Sequence, residues 1–247
     1  MPTALLTDLH ANREALEACL ADARRAGADR FAFLGDLVGY GADPEWVVET
    51  VMALAADGAP VVQGNHDQAV VRGVTDRMHG TASQAIAWTR ARLGPAYVEF
   101  LAGLPMSAVL GDALLVHANA WAPAGWEYIE GAFEAQRSLQ ACTQRLVFHG
   151  HVHEPALYHV APHGRIAGFT PVPGVPIPLS TQRRWLAIPG AVGQPRDGIP
   201  AACWALLDDR GATLTFHRVP YDNDTAARKV RAAGLPESLA LRLETGR

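Results

Sequence analysis

Short apolar segments alternate with helical patterns at the start of this chain, and that alternation limits the folds open to it. Apolar segments of strand length cover residues 3–7 (TALLT), 31–35 (FAFLG) and 59–63 (APVVQ). Residues 12–26 and 43–56, which lie between them, carry apolar side chains at helical spacing. Strand–helix repeats of this kind predict a mainly parallel sheet that helices cover.

The rest of the chain contains more strand patterns than helical ones. A Gly-Asp pair at 111–112 separates two apolar segments and predicts a β-hairpin. Residues 119–128 predict a loop that lies over a site, whereas the Pro-rich residues 171–178 predict an exposed loop. A helical pattern covers residues 222–243. Because we find neither repeats nor a linker, we expect a single domain over residues 1–247.

The charge balance argues against one broad class of function. The chain of 247 residues has 21 Lys and Arg against 25 Asp and Glu, and its formal net charge is −4. Nucleic-acid binding, which needs clustered basic side chains, is therefore not expected. Three scattered cysteines suit a reducing compartment, and neither a secretory leader nor an apolar run of the roughly 20 residues of a membrane span is evident. We expect a cytoplasmic protein without a membrane partner; the sequence leaves its oligomeric state open.

Polar side chains of metal-binding types lie at the ends of five predicted strands. They are Asp8 and His10, Asp36, Asn65 and His66, His117, and His151 and His153. In an open α/β sheet, ligands bind in the crevice at the carboxyl ends of the strands. We therefore expect these side chains to meet at one edge of the sheet.

Their chemical types suit a pair of divalent cations. Two such ions, about 3.5–4 Å apart, require an anionic bridge together with terminal imidazoles and carboxylates. We expect Asp36 to be the bridge, with one carboxylate oxygen on each ion, and His151 and His153 to reach one ion each. Asn65 adds a neutral oxygen ligand. Nitrogen and oxygen ligands without thiolate favour Mn, Fe or Zn over Ca and argue against a structural zinc site of the Cys type.

Each of these residues has a simpler explanation when it is taken alone. Asp8 can cap a strand end, Asp36 can belong to a Gly-rich turn, and His117 can be a hydrogen-bonded core histidine. The segment 150–153 (GHVH) can be an exposed polar turn. These explanations would all have to hold independently, whereas one metal site accounts for every residue.

The order of the motifs resembles that of a known family. The segments DLH (8–10), GDLVGYG (35–41), GNHD (64–67), VHA (116–118) and GHVH (150–153) resemble the ordered motif set of the calcineurin-like metallophosphoesterases. Within that superfamily, the stretch PGAVGQPRDG (189–198) is similar to one in small bacterial and archaeal phosphoesterases. The resemblance implies an α/β (α+β) fold, a four-layer αββα sandwich of two mixed β-sheets flanked by helices.

The resemblance also implies a role for each residue. The first ion would be held by Asp8, His10, Asp36 and His153, and the second by Asp36, Asn65, His117 and His151. His66 would bind no metal and would instead stabilise the phosphoryl oxygens or protonate the leaving group. Asp67, the second catalytic candidate, would position the imidazole or the loop, or would cap a helix. A water held between the ions would attack phosphorus in line.

Two positions differ from the protein Ser/Thr phosphatases of the superfamily. Their second motif reads GDxVDRG, and this chain has Gly39 and Tyr40 in place of the Asp that supports the catalytic His and the Arg that clamps phosphate. We therefore do not expect phosphoprotein phosphatase activity. Tyr40, Arg196 and Asn12 are candidate substrate-binding residues. Two alternatives stay open: a salt bridge from Arg196 to Asp197 or another acid, and a helix cap for Asn12.

The predicted function is hydrolysis of a phosphodiester or a nucleotide polyphosphate, a small-molecule substrate, at two divalent metal ions. Trp121, Trp126 and Tyr128 of the predicted loop can stack on a base, or can pack as part of a core or lid. The alternative is a non-catalytic scaffold or binding protein on the same fold. Such proteins usually have broken ligand sets, whereas all seven ligands and His66 are present here.

Overall fold

Two β-sheets pack face to face in the computed structural model of this chain, which describes residues 1–73, 80–161, 163–208 and 212–247. The strands are β1 (Thr3–Leu6), β2 (Arg30–Phe33), β3 (Ser107–Leu110), β4 (Ala113–Val116), β5 (Leu146–Phe148), β6 (Ala156–Val160), β7 (Ile166–Phe169), β8 (Ile177–Pro178), β9 (Arg184–Ile188), β10 (Ala202–Leu207) and β11 (Thr213–Val219). The helices are α1 (Arg13–Arg25), α2 (Pro44–Ala56), α3 (Asn65–Arg72), α4 (Gly80–Arg90), α5 (Pro95–Gly103), α6 (Ala132–Gln140), α7 (Asn223–Ala232) and α8 (Glu237–Thr245). None of the helices in these described ranges is long and apolar enough to cross a membrane.

The first sheet has the strand order β2-β1-β10-β11-β8. β1 pairs in parallel with β2, and the other pairings are antiparallel. Within the described part of the chain, the predicted third parallel strand (59–63) contributes only a bridge between Phe33 and Val61. The reason is that the Gln63 N–H donates to the Pro105 carbonyl at 2.8 Å, which leads the backbone away from β2. The expectation of a mainly parallel sheet is therefore wrong for this sheet.

The second sheet has the order β3-β4-β5-β9-β6-β7 and is also mixed. β5 is parallel to both β4 and β9, whereas β3 pairs antiparallel with β4, and β6 pairs antiparallel with β7 and β9. The hairpin predicted at 111–112 is confirmed, since Leu110 pairs with Ala113 across that turn. Gly111 has a φ of 58°, which glycine adopts without steric cost.

Apolar side chains form three layers around the sheets. Side chains alternate along β1: Ala4 and Leu6 pack in the cluster that includes α1 and α2, whereas Leu5 packs in the cluster between the sheets, as does Phe148 of β5. Leu139 of α6 belongs to a further cluster on the outer face of the second sheet. The order helix, sheet, sheet, helix confirms the predicted α/β class, a four-layer αββα sandwich of two mixed sheets.

The C-terminal helical pattern forms two helices rather than one. α7 ends at Ala232 and α8 begins at Glu237. Gly234 between them has a φ of 71°, and Pro236 has no N–H with which to continue a helix. The two helices pack against each other in a cluster that also contains Tyr40.

The loops that follow β1, β2, β4 and β5 meet at one edge of the packed sheets. The Asp8 N–H donates to the Gly35 carbonyl at 3.0 Å, which joins the loops after β1 and β2. The Gly150 N–H donates to the His117 carbonyl at 2.8 Å, which joins the loops after β5 and β4. The Val192 N–H, after β9 of the second sheet, donates to the Thr7 carbonyl, after β1 of the first, at 3.0 Å, so backbone hydrogen bonds also join the two sheets at this edge.

Candidate metal centre

Five of the seven predicted metal ligands have left-handed backbone conformations. The φ angle is 54° at Asp8, 47° at His10, 52° at Asp36, 69° at His151 and 67° at His153. Apart from glycine, Asp, Asn and His adopt this region most readily, so these residue types suit the tight turns as well as ion binding. Strained backbone of this kind clusters at functional sites.

The first group of ligand atoms comes from Asp8, His10, Asp36 and His153, and all four atoms lie within 4.8 Å of one another. The Nε2 atoms of His10 and His153 are 3.1 Å apart. His153 Nε2 lies 3.2 Å from Asp8 Oδ1, and His10 Nε2 lies 3.7 Å from Asp36 Oδ2. All four residues are buried, with at most 2% of the surface of each exposed.

The tautomers of His10 and His153 follow from their outer contacts. His10 Nδ1 lies 3.1 Å from the Val38 carbonyl, and His153 Nδ1 lies 2.6 Å from the Gln194 carbonyl. A carbonyl accepts a hydrogen bond, so each Nδ1 carries the proton and each Nε2 presents a lone pair. Two lone pairs and the carboxylates of Asp8 and Asp36 therefore face one another at the buried centre of the group. A cation is the partner that such a set of acceptors requires.

The second group is formed by Asp36, His117 and His151, and its atoms also lie within 4.8 Å of one another. His117 Nδ1 donates to the Leu34 carbonyl at 2.7 Å, so its Nε2 faces Asn65 Oδ1 at 3.1 Å and Asp36 Oδ2 at 3.4 Å. The Nε2 of His151 lies 3.0 Å from the Trp126 carbonyl. That contact places the His151 proton on Nε2 and leaves Nδ1 as the atom able to bind an ion.

Asp36 belongs to both groups, but its two oxygens do not have equal roles. Oδ1 accepts a hydrogen bond from the backbone N–H of His66 at 2.8 Å. Oδ2 faces both His10 and His117, at 3.7 and 3.4 Å. Oδ2 is thus the oxygen directed toward both groups, and the bridging of two ions by one oxygen each stays a prediction.

The electrostatics of the groups favour charged carboxylates. Burial alone would raise the pKa of Asp36, but the attraction of His117 and His66 outweighs it and brings this pKa well below its usual range. Burial would also raise the pKa of Asp8, but attraction to His153 when that ring is protonated, with a hydrogen bond from it, outweighs burial and lowers this pKa. Burial would lower the pKa of His117, whereas Asp36 raises it to about 9. Without an ion, a proton on His117 thus supplies positive charge beside Asp36.

Glycines allow the motif loops to approach the ligands closely. A Cβ on Gly64 would lie 2.1 Å from Asp36 Oδ1, and a Cβ on Gly150 would lie 1.9 Å from Thr7 Oγ1. Thr7 Oγ1 in turn donates to Asp8 Oδ2 at 2.8 Å, and the His151 N–H donates to the same oxygen at 3.0 Å. These glycines are required because the backbone itself packs against the ion-binding carboxylates.

His66 lies beside the two groups and belongs to neither. Its ring centroid is 4.9 Å from that of His10 and 4.4 Å from that of Tyr40. Burial lowers the pKa of His66 to about 4, with opposition from Asp36. Its Nδ1 has no hydrogen-bond partner among the described residues. A neutral imidazole with an uncommitted nitrogen is thus held next to the ligands.

Asp67 is buried and holds backbone rather than the imidazole. Oδ2 accepts the Gly64 N–H at 2.9 Å, and Oδ1 accepts the N–H groups of Leu37 and Val38 at 2.9 and 3.3 Å. Burial and the charge of Asp36 raise the pKa of Asp67 to about 7, while these backbone donors oppose the shift. Of the roles considered, this geometry supports attachment of the 35–41 loop to the start of α3.

The three candidate substrate contacts have different surroundings. Asn12 is buried and caps α1: its Oδ1 accepts the Ala15 N–H at 3.1 Å, and its Nδ2 donates to the Gly193 carbonyl at 2.9 Å. The structure therefore lends no support to Asn12 as a substrate contact. Tyr40 packs on His66, and the Arg196 guanidinium lies 5.9 Å from the centroid of the Tyr40 ring.

The alternative role considered for Arg196, a salt bridge to Asp197 or another acid, is not seen among the described residues. Asp197 pairs with Arg218 instead, through contacts that include one of 3.1 Å between Oδ1 and Nη1. Within the described ranges Arg196 forms no ion pair, and its Nη2 donates to Gln194 Oε1 at 3.2 Å. The alternative to phosphate binding is thereby weakened for Arg196.

Two contributors to the site could not be found by sequence reasoning. The Gln194 and Trp126 carbonyls orient the two histidines of GHVH, and main-chain carbonyls leave no signal in a sequence. Tyr128, one of the aromatic residues singled out in the loop 119–128, stacks on His151 with 3.9 Å between ring centroids.

Comparison with known proteins assigns the fold and the site to a family. The model of the calcineurin-like phosphoesterase superfamily domain matches residues 1–210, and the chain belongs to that superfamily. This agrees with the resemblance seen in the order of the motifs.

Several relatives extend over the full chain. The metallophosphoesterase from Sphaerobacter thermophilus is 37% identical, with a TM-score of 0.88 and 100% coverage of both chains. The uncharacterized protein MJ0912 of Methanocaldococcus jannaschii is 33% identical over 99% of this chain and 98% of its own. The hypothetical protein PH1004 of Pyrococcus horikoshii OT3 has a TM-score of 0.78, with 100% and 98% coverage; at 18% identity it shows the fold alone.

Proposed function

We propose that this protein is a dinuclear metal-dependent phosphoesterase that hydrolyses a phosphodiester or a nucleotide polyphosphate. The observation that carries the proposal is the pair of buried acceptor groups that share Asp36. Apart from the proton that His117 gains when no ion is bound, this arrangement consists of imidazole nitrogens and carboxylate oxygens directed at one another, and cations satisfy it. The proposal agrees with the superfamily to which the chain belongs.

The residues fit two divalent ions. Asp8, His10, Asp36 and His153 would hold the first ion, and Asp36, Asn65, His117 and His151 would hold the second. When bound, the ions supply Lewis acidity, an activated water and neutralisation of phosphate charge. The mixed nitrogen and oxygen donors favour Mn, Fe or Zn.

His66 is the proposed acid and charge-stabilising residue. The His66 ring packs against the rings of Tyr40 and His10, and this packing orients it beside the ion-binding atoms. The N–H of the neutral imidazole can donate a hydrogen bond to a phosphoryl oxygen. Transfer of a proton to the leaving oxygen requires the imidazolium form, which the negative charge of a bound phosphate would favour. Asp67 contributes by holding the loop that carries Tyr40.

Small phosphoesters suit this site better than phosphoproteins. Gly39 and Tyr40 occupy the positions where the protein Ser/Thr phosphatases have Asp and Arg. A Cβ on Gly39 would lie 2.4 Å from His66 Nδ1, so an Asp does not fit there with His66 as placed. The non-catalytic alternative is less well supported, because the ligand atoms converge and His66 is held beside them.

The test is a substrate and metal screen on one preparation. We expect hydrolysis of bis-p-nitrophenyl phosphate or of a nucleotide polyphosphate with Mn, Fe or Zn, and near-complete loss after chelation. Mg is added as a separate comparison. Full activity in extensively chelated protein would refute the metal mechanism. A metal-loaded protein that is inactive on all mono- and diesters and nucleotides would favour the scaffold alternative.

A further inference from the structure

The segment 191–196 lies outside the five motifs and packs against the first of them. The Val192 N–H donates to the Thr7 carbonyl at 3.0 Å, and the Gly193 N–H donates to the Asp8 carbonyl at 2.8 Å. A Cβ on Gly193 would lie 1.9 Å from the Leu9 carbonyl oxygen. This segment is therefore held tightly beside the ion-binding residues.

The segment delivers a guanidinium to the site. The Arg196 N–H donates to the His153 carbonyl at 3.4 Å, so its backbone adjoins a metal ligand. Gln194 is buried, and its Oε1 accepts from Arg196 Nη2 at 3.2 Å. The same Gln194 orients His153 through its carbonyl, at 2.6 Å. One residue thus positions both a ligand and the cation beside it.

The charge of Arg196 has no counter-charge in the described protein. It makes no ion pair with a described Asp or Glu, and its Nε is buried without a hydrogen-bond partner among described residues. A half-buried guanidinium without an anion is unfavourable, and its planar fork of donors matches phosphate geometry. Arg196 therefore offers a binding site for an anion, and no carboxylate of the described residues occupies it.

Two tyrosines accompany this guanidinium. Tyr40 lies beneath it, with 5.9 Å from the guanidinium carbon to the ring centroid, and Tyr40 also packs on His66. Tyr128 stacks on His151, on the side of the second ion group. A tyrosine hydroxyl can donate a hydrogen bond to a phosphate oxygen.

We propose that Arg196, Tyr40 and Tyr128 form a subsite for a second phosphate group, adjacent to the one that reacts. This inference rests on the proposed function and selects between its two substrate classes. The ion-binding residues and His66 suffice to neutralise the reacting phosphoryl group. A further cation beside them recognises additional negative charge, which a phosphoanhydride such as a nucleoside polyphosphate carries and a simple diester lacks. One face of Tyr128 is covered by His151, so this tyrosine contributes its hydroxyl.

Binding of unreactive phosphonates tests the subsite without catalysis. Methylenediphosphonate and methylphosphonate are titrated into Mn-loaded protein by calorimetry at a fixed concentration of free Mn. We expect the diphosphonate to bind more tightly, and Arg196→Gln to weaken its binding by about 10–100-fold while changing methylphosphonate binding by less than about threefold. Arg183→Gln is the matched control, because Arg183 precedes β9 and its guanidinium lies over the Trp185 ring at 6.0 Å. Equal losses for both phosphonates, or no loss for either, would overturn the inference.

Measurement of kcat/KM on two substrates is the second experiment. In Arg196→Gln, kcat/KM should fall by about 10–100-fold for a nucleoside polyphosphate and by a much smaller factor for bis-p-nitrophenyl phosphate. Tyr40→Phe and Tyr128→Phe should shift the same ratio in the same direction by smaller factors. Equal losses on both substrates would assign Arg196 to the reacting phosphoryl group and refute the second-phosphate subsite. Inactivity of the parent protein on every phosphoester would instead refute the proposed function, and the phosphonate titrations would still decide on the subsite.

Discussion

The Nε2 atoms of His10 and His153 lie 3.1 Å apart, and the Nδ1 atom of each ring is directed at a main-chain carbonyl. Neither imidazole can turn its proton toward the other without giving up that carbonyl. Burial, reinforced by His153, lowers the pKa of His10 well below its usual range, so a shared extra proton is not favoured. The pair is therefore arranged for a metal ion and not for a hydrogen bond.

Asp36→Asn should weaken binding of the two proposed metal ions more than His117→Ala does. Oδ2 of Asp36 faces both groups, whereas His117 reaches one, and an amide lacks the charge that offsets repulsion between two cations. Loss of a residue that only orients a metal ligand typically lowers metal affinity by about 10–100-fold. In Asp36→Asn we expect the affinity for both ions to fall by more than this. Metal counting and titration on both folded variants provide the comparison. Two tightly held ions and near-normal turnover in Asp36→Asn would show that Asp36 is not the bridge.

Asn65 and His66 are neighbours with different predicted roles. Asn65 Oδ1 lies 3.1 Å from His117 Nε2, beside the second group, whereas the His66 ring belongs to neither group. Asn65→Ala should lower occupancy of one ion, and His66→Ala should retain both ions and lose about 100-fold or more in kcat. Emission spectrometry and turnover are measured on both variants. Loss of metal in His66→Ala but not in Asn65→Ala would reverse the two assignments.

Gly39→Ala should displace His66 without removing metal. Its Cβ would lie 2.4 Å from His66 Nδ1, so the imidazole has to move, and we expect kcat to fall by about tenfold or more. Gly27→Ala is the control: Gly27 and Gly39 share a φ of 86°, but a Cβ on Gly27 would meet nothing within 4 Å. Both variants should lose about 1 kcal/mol of stability from the backbone conformation. Equal turnover in the two variants would contradict the proposed role of His66.

His149 should make stability fall in weak acid. It is fully buried, its Nε2 contacts Ser138 Oγ at 3.1 Å, and burial with the charge of His117 lowers its pKa from 6.5 to about 3. Between these values the unfolded chain binds a proton that the folded chain does not. The stabilisation is therefore present above pH 6.5 and is lost as pH falls toward 3.

Denaturant titration of metal-free protein measures the effect. Between about pH 7 and about pH 5.5, His149→Gln should lose about 1 kcal/mol less stability than the parent protein. His163→Gln, at an exposed position, serves as the control and should behave like the parent. An unchanged pH dependence in His149→Gln would show that His149 does not cause the loss.

The convergence of the ligands was predictable because each follows an apolar segment in a local pattern. Asp8 and Asp36 follow β1 and β2, and parallel neighbours end at the same edge. The strand neighbours of β1 were not predictable in the same way. β10 pairs with β1 through residues about 200 positions away (Thr3 with Leu207), and apolar periodicity does not specify such a partner.

Orientation within the site was harder to predict than composition. The sequence predicts Asp36 as a bridge but does not show that its Oδ1 also accepts the backbone N–H of His66. That bond depends on where α3 begins relative to the loop after β2, which is a tertiary relationship. The sequence also leaves open whether Asp67 caps a helix, positions the imidazole or holds the loop. The structure supplies tertiary contacts that bear on this choice, since the carboxylate of Asp67 accepts the N–H groups of Gly64 and of Leu37 in the 35–41 loop.

The left-handed residues of the metal centre impose a requirement on the rest of the molecule. A non-glycine residue in that conformation costs roughly 1–2 kcal/mol, so five of them cost on the order of 5–10 kcal/mol. The net stability of a folded domain is about 5–15 kcal/mol. A chain with the same motifs and a thinner core between its sheets would lack the reserve to hold those turns. The core between the sheets, which includes Leu5 and Phe148, therefore supplies the stability that holds these turns in place. A substitution in that core, far from the ligands, can lower activity because the ligand-bearing loops then leave their strained conformations.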